Sequence, residues 1–178
     1  MSLAHALLTS LLEQPSSGYD LARRFDKSIG HFWQATHQQI YRELGRMENA
    51  GWIQSEPDPE AGRTRKRTYL VQPAGRDELM RWAAEAAPLP ELRDEFMVRL
   101  RADAVIGPLG LLPELQRRRA RHADKLRAYR AIEARDFPAG SESTRQRRIH
   151  HLILKAGVQY EQSWIAWYDE AVKTLSEV

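Results

Sequence analysis

Cysteine is absent from the 178 residues of this chain. The protein therefore forms no disulfide, has no thiol nucleophile and cannot bind zinc through cysteine. The absence fits a reducing compartment, where disulfides are rare. An excess of charge of one sign is absent too, since the formal net charge is only +3.

Segments typical of export or membrane insertion are also missing. The first five residues contain no Lys or Arg, whereas a secretory signal peptide begins with a basic region. The uncharged run 104–113 is far shorter than the ~20 residues that span a bilayer, and it contains Gly107, Pro108 and Gly110. We expect a cytoplasmic protein with no membrane partner.

Sequence motifs of enzymes are missing as well. The chain has no glycine-rich phosphate loop, no metal-ligand spacing and no nucleophile motif. His150 and His151 are adjacent, so they point to different faces of a helix and make a poor metal pair, and His122 is distant in sequence. We expect no enzymatic activity, no cofactor and no metal.

The first thirty residues predict two helices. Residues 2–13 place their leucines on one apolar stripe, and a break at 15–18 follows. Ser17 fits the N-cap of the second helix and Gly30 fits its C-terminal glycine.

A third helix begins at Thr36, because Thr36 and Gln39 have the spacing of a capping box. Gly51 ends it. Its inward face is predicted to carry Ile40, Leu44 and Met47.

The opposite face of this helix is polar, with side chains that hydrogen-bond base edges or phosphates. Gln39 is ambiguous, because the capping box turns its side chain back toward Thr36, and Tyr41 could equally pack or contact DNA. A polar face is also what any solvated helix shows. The candidate DNA-binding residues on this helix are Gln38, Gln39, Tyr41, Arg42, Arg46 and Asn49.

Two short strands, 52–56 and 67–71, enclose a polar loop with turn residues. Arg63, Arg65, Lys66 and Arg67 lie together there. Such a run usually marks a solvated loop, but behind a capped helix it occupies the position of a DNA-contacting wing. We expect these four cations to contact phosphates and to add little sequence specificity.

Charge is not concentrated in this part of the chain. Up to residue 87 the sequence has 11 Lys and Arg against 11 Asp and Glu, while the remainder has 16 against 13. DNA binding must therefore depend on where individual cations lie.

The prolines at 88 and 90 mark a boundary between residues 1–87 and 91–178. The second part is predicted to be helical, with long apolar faces that favour packing against a second copy of the chain. Its aromatic residues fit either a dimer interface or an effector pocket, and we favour the interface, because pockets are few. They are Phe96, Tyr160, Trp164, Trp167 and Tyr168.

Several short segments together resemble the PadR family of transcriptional regulators. They are 18–21 (Gly-Tyr-Asp-Leu), 32–33 (Phe-Trp), 39–44 (Gln-Ile-Tyr-Arg-Glu-Leu), 47–48 (Met-Glu), Gly51, 67–70 (Arg-Thr-Tyr-Leu), 73–76 (Pro-Ala-Gly-Arg) and, after the proline break, 93–97 (Arg-Asp-Glu-Phe-Met). Pro73 departs from the acidic residue or Thr that is common nearby in the family, but proline suits a first helical turn.

The resemblance implies a homodimer that binds a pseudo-palindromic operator, usually as a repressor, and that a small, often aromatic, effector releases. We therefore predict a mainly α fold with a small β-hairpin: an N-terminal winged helix-turn-helix domain and a C-terminal helical dimerisation domain. The alternative is a winged-helix protein-interaction module without DNA binding.

Overall fold

The structure is a computed structural model that describes residues 3–27, 29–31, 33–57, 67–87, 93–138, 140 and 144–177. The chain divides into two compact units, residues 1–90 and 91–178. In chain order the elements of the described residues are α1 (Leu3–Glu13), β1 (Ser16–Ser17), α2 (Gly18–Asp26), a 3-10 turn (Ile29–His31), α3 (His37–Asn49), β2 (Ile53–Pro57), β3 (Arg67–Val71), α4 (Pro73–Ala84), α5 (Glu95–Ile106), α6 (Leu112–Asp136) and α7 (Arg145–Ser176).

The core of the first unit lies between α1, α2 and α3. Apolar side chains from all three helices are completely or almost completely buried, and each contributes about 1.5–3 kcal/mol to the free energy of unfolding relative to exposure. They include Leu7, Leu8 and Leu11 of α1, Leu21 and Phe25 of α2, and Ile40, Leu44 and Met47 of α3.

The three strands form one antiparallel sheet in the order β1-β3-β2. The predicted hairpin is β2 and β3, in which Ser55 lies opposite Tyr69. Ser17 is the N-cap of α2, as predicted, and its side chain accepts a hydrogen bond from the Asp20 amide. The third strand was not predicted: Ser16 and Ser17 pair with Tyr69 and Thr68. Two residues are too few to show the alternation that identifies a strand. The mainly helical fold with a small sheet is confirmed.

Gly30 has a different role from the one predicted. α2 ends at Asp26 and its C-cap is Lys27, so Gly30 lies beyond the helix, in the 3-10 turn. A Cβ on Gly30 would lie 2.9 Å from the carbonyl oxygen of Phe25. Glycine is therefore required here by a close backbone approach and not by a left-handed C-cap.

The second unit contains α5, α6 and α7. Its buried cluster is Phe96, Leu115 and Tyr168, one residue from each helix. α5 begins at Glu95, where the Asp94 side chain caps the helix by accepting a hydrogen bond from the Phe96 amide at 2.8 Å. From the apolar pattern of the sequence we expect this helix to start at about Glu91, a position outside the described residues.

α6 and α7 are also joined by two contacts between an acidic side chain and a histidine. Glu161 of α7 is only 2% exposed, and its carboxylate lies 2.5 Å from Nδ1 of His122 on α6. Nearer the connection between the two helices, Nε2 of His151 lies 2.9 Å from Glu133. In both pairs the acid and the histidine belong to different helices.

In the first unit, α4 begins directly against the wing strands. The carbonyl oxygen of Trp52 accepts a hydrogen bond from the Gln72 amide at 2.9 Å. Gly75, in the first turn of α4, lies so close to this carbonyl that an added Cβ would overlap the oxygen. Only glycine fits at this position without a backbone shift.

Gly75→Ala should therefore lower the free energy of unfolding by about 1–3 kcal/mol, because the new methyl group forces α4 away from Trp52. Urea denaturation monitored by circular dichroism measures the change. Gly45→Ala is the matched control: Gly45 is also helical but has open space around its Cβ position. That substitution should raise stability by up to ~1 kcal/mol through helix propensity. Equal effects at the two positions would contradict the prediction.

Candidate nucleic-acid interface

α3 is fixed at its first turn by the capping box that the sequence predicted. The Thr36 hydroxyl accepts a hydrogen bond from the Gln39 amide at 3.2 Å, and the Gln39 side-chain oxygen accepts one from the Thr36 amide at 2.8 Å. Two helix N–H groups that would otherwise lack partners are thus satisfied. Gln39 therefore has only its side-chain NH₂ group left to donate to another molecule.

A second contact holds this end of α3 against α2. Nε2 of His37, the first residue of α3, lies 2.9 Å from Oδ2 of Asp26, the last residue of α2. Both side chains are about half exposed. This pair, which spans the turn between the two helices, was not predicted from the sequence.

The two faces of α3 differ as predicted. Its apolar residues are buried in the core, while the polar residues of the opposite face are exposed. The exposed residues are Gln38, Arg42, Gly45, Arg46 and Asn49. One continuous polar surface therefore faces away from the unit that carries it.

The two arginines of this surface differ in their surroundings. Arg46 donates a hydrogen bond from Nη1 to Glu43 at 3.2 Å, although its side chain remains 75% exposed. Arg42 makes no hydrogen bond or ion pair with any residue that the structure describes. Arg42 is thus the better placed of the two to form a bidentate contact with a ligand.

Tyr41 lies at the edge of the surface and is 47% exposed. Its ring rests against Gly18, where an added Cβ would come within 2.6 Å of the ring. The missing side chain at Gly18 therefore leaves room for the ring at the start of α2. Trp33, which precedes α3, is partly buried against the core.

The wing is described only at its base. Arg63, Arg65 and Lys66 lie outside the described residues. Arg67, the first residue of β3, lies opposite Pro57, and its Nη2 donates a hydrogen bond to the Ser55 carbonyl oxygen at 2.9 Å. The side chain of Arg67 is thus engaged with the sheet.

Glu48 and Ser55, which connect α3 to the wing, were not predicted from the sequence. Oε1 of Glu48 accepts hydrogen bonds from the Ser55 amide at 3.0 Å and from the Ser55 hydroxyl at 2.5 Å. The bond from the hydroxyl lowers the pKa of Glu48. One signal was available: Glu48 follows Leu44 by four residues, so it lies at the edge of the buried face.

Three of the predicted aromatic residues of the second unit, Tyr160, Trp164 and Tyr168, lie close to the ring of His122. Phe96 and Tyr168 are buried in the core of the unit, Trp164 and Trp167 are partly buried against it, and Tyr160 is exposed. The ring centroid of His122 lies 5.9 Å from that of Trp164 and 5.4 Å from that of Tyr168.

Among the described residues, no helix combines the length and the apolar character needed to cross a membrane.

In the first unit, three helices pack around one core, the third is capped and exposed on its polar face, and a two-stranded wing follows. These features define a winged helix-turn-helix protein.

Comparison with known proteins gives the family. Residues 7–81 match the sequence model of the PadR-like family of transcriptional regulators, and residues 92–176 match that of the C-terminal region of virulence activator alpha. The "Probable transcriptional regulator Rv1176c" of Mycobacterium tuberculosis is 41% identical, with 99% of each chain covered. The chain belongs to the PadR-like family. It is a transcriptional regulator, as the sequence led us to expect, and not an enzyme.

Solved structures agree over the whole length. The virulence activator AphA of Vibrio cholerae is 31% identical, with a TM-score of 0.84 and 99% of each chain covered. PadR of Bacillus subtilis, solved in complex with operator DNA, is 25% identical, with a TM-score of 0.83 and 97% and 98% of the two chains covered. The same PadR has also been solved with p-coumaric acid, with a TM-score of 0.78, 26% identity and 98% of each chain covered.

Proposed function

We propose that this regulator is a homodimeric repressor that binds a pseudo-palindromic operator through α3 and the wing, and that a small aromatic molecule releases it. The observation that carries the proposal is the exposed polar face of α3, on which Arg42 has no partner among the described residues. The buried opposite face holds this surface in place.

The chemistry of the surface suits the major groove. Arginine makes bidentate hydrogen bonds to guanine, while Gln and Asn do so to adenine. The wing cations, including Arg63, Arg65 and Lys66, add contacts to phosphates. The PadR of Bacillus subtilis, described as a negative transcriptional regulator and solved with operator DNA, supports both the target and the repressor role.

Exposed apolar residues in the second unit support the dimer. Val98 and Val105 lie seven residues apart on α5, and Ile153 and Tyr160 have the same spacing on α7, so each pair shares one helix face. All four are exposed, and Val105 reaches 81%. Exposed apolar stripes of this kind are typical of subunit interfaces. Two copies would present two α3 helices to two half-sites about 34 Å apart.

The aromatic cluster around His122 supports an effector site, since PadR of Bacillus subtilis binds an aromatic acid. Trp164 and Tyr168 offer ring faces, and His122 offers a polar group among them. Phe96 and Tyr168 are already buried in their own unit. Of the five predicted aromatic residues, Tyr160 is the most exposed to a partner subunit, at 57%.

The experiment that tests the function is a titration of DNA from immediately upstream of the gene, at two salt concentrations and against random competitor. We expect tight, competitor-resistant binding and a footprint over two half-sites. Equal and weak binding to both DNAs would favour a winged-helix interaction module. A promoter–reporter assay then gives the sign of regulation, because the Vibrio neighbour is described as an activator.

Arg42→Ala should weaken operator binding by about 1–3 kcal/mol and relax specificity at one base pair, because alanine cannot form the bidentate hydrogen bonds to guanine. Fluorescence anisotropy with the operator and with single-base variants measures both effects. Arg121→Ala, an exposed arginine of α6, is the control and should leave binding unchanged. An equal loss of affinity for operator and random DNA would show that Arg42 binds a phosphate.

Replacing Arg63, Arg65 and Lys66 together with Ala should weaken binding to all DNA sequences and flatten the salt dependence. The slope should fall by about 0.9 for each phosphate that the variant no longer neutralises. Titrations at four or more salt concentrations give the slope. If the slope is the same as in the wild type, these cations do not bind phosphates.

Val105→Glu should shift the protein toward the monomer and raise the dimer dissociation constant at least about tenfold, since an unpaired charge is costly in a buried interface. Sedimentation equilibrium measures the constant. The neighbouring Ala104 is also exposed but lies on another side of α5, so Ala104→Glu serves as the control. A Val105→Glu protein that remains fully dimeric would exclude this stripe from the interface.

A further inference from the structure

A hydrogen-bonded network of Glu48, Ser55 and Arg67 joins the last turn of α3 to both strands at the base of the wing. We propose that Glu48 and Arg67 are positioning residues, which fix the wing relative to the DNA-reading helix, and that Arg67 does not contact a phosphate. This inference rests on the proposed function, since it assigns roles within operator binding.

The link from α3 to β2 is formed by one carboxylate oxygen. Oε1 of Glu48 accepts both the amide and the hydroxyl hydrogen of Ser55, at 3.0 and 2.5 Å. Ser55 is itself buried, with 6% of its surface exposed. Hydrogen bonds to a charged acceptor are stronger than neutral ones, and fewer waters compete for them at a buried position.

The link from β2 to β3 is formed by Arg67. Its Nη2 donates to the carbonyl oxygen of the same Ser55 at 2.9 Å. Residues that alternate along a strand share one face, so Arg67 lies on the face of β3 that also carries Tyr69 and Val71. Those two residues pack against the core of the unit. Arg67 is an exposed residue at the start of this strand, but its guanidinium group is turned back to the Ser55 carbonyl on the neighbouring strand.

The charges of the network agree with this arrangement. The Ser55 hydroxyl, followed by smaller effects that include the positive charge of Arg67, lowers the pKa of Glu48, so the carboxylate is ionised at neutral pH. Burial, and then the Glu48 charge, raise the pKa of Tyr69, which lies opposite Ser55 in the sheet. Arg67 is therefore already close to an acid of its own chain.

The network lies at the point where the wing leaves the sheet. Residues 58–66, with the remaining wing cations, connect Pro57 to Arg67, and these two residues lie directly opposite each other in the sheet. Contacts that hold Pro57 and Arg67 in place therefore determine the position from which the wing extends. Glu48 connects the base of the wing to α3. The helix and the wing can contact the operator at the same time only when the distance between them matches the DNA.

The proposal is tested by whether removal of the Glu48 carboxylate strengthens or weakens DNA binding. Glu48 is a negative charge beside a DNA-binding surface, so electrostatics alone predicts that its removal tightens binding to any DNA. A positioning role predicts the opposite: Glu48→Ala should weaken operator binding at least about fivefold and lower the preference for operator over random DNA. Glu56→Ala is the matched control, because Glu56 is an exposed acid on the opposite face of β2 and should not weaken binding.

Arg67 is tested by a conservative replacement. Lysine keeps the charge that a phosphate contact needs but loses the planar group that donates to Ser55. Arg67→Lys should therefore weaken operator binding about as much as Arg67→Ala, whereas Arg65→Lys should bind almost like the wild type. Glu48→Gln keeps an acceptor oxygen for Ser55 and should lose less affinity than Glu48→Ala, which separates positioning from a general loss of fold. Thermal unfolding confirms that each variant is folded at the temperature of the titration.

The outcomes separate the two proposals. A wild-type protein without preference for the operator would overturn the proposed function, and this inference with it. A selective wild type together with a Glu48→Ala variant that binds the operator equally well or more tightly would overturn only the role of Glu48. An Arg67→Lys variant with wild-type affinity, beside a weakly binding Arg67→Ala variant, would make Arg67 a phosphate-binding residue.

Discussion

Burial of one face of α3 against α1 and α2 is the contact on which the rest of the first unit depends. Ile40, Leu44 and Met47 are almost completely inaccessible to solvent, and their packing determines which side of the helix turns outward. A helix rotated by one residue, about 100°, would bury Tyr41 and expose an apolar residue in its place. Packing of the core therefore determines which polar residues of α3 are exposed.

Both ends of α3 are then fixed by polar contacts. At the first turn, Thr36 caps the helix and His37 pairs with Asp26 of α2. At the last turn, Glu48 holds Ser55 of β2. The core sets the rotation of the helix, and these contacts set the position of its neighbours. A regulator of this kind needs both, because recognition requires several contacts to form at once.

Local signals determined how much was predictable from sequence. The capping box of Thr36 and Gln39 lies within four residues, so the start of α3 was found, and the apolar period gave its buried face. The missed features join residues that pattern analysis treats separately. β1 is a two-residue pairing with a strand about fifty residues later, and Gly30 is needed because of the nearby Phe25 carbonyl and not as the C-cap of α2. Glu48 and Ser55 are each an ordinary polar residue until the hairpin brings them together.

The buried Glu161 of α7 has a consequence for how the two long helices align. In the observed alignment of α7 along α6, its carboxylate lies 2.5 Å from Nδ1 of His122 and 4.0 Å from Nζ of Lys125, both on α6. If α7 slid by one turn, the buried carboxylate would lose its hydrogen bond to His122, which is more costly than moving an apolar side chain by the same distance. Apolar faces as long as these are compatible with several registers. The histidine–glutamate pair selects one of them, and so specifies where along the hairpin every surface residue lies.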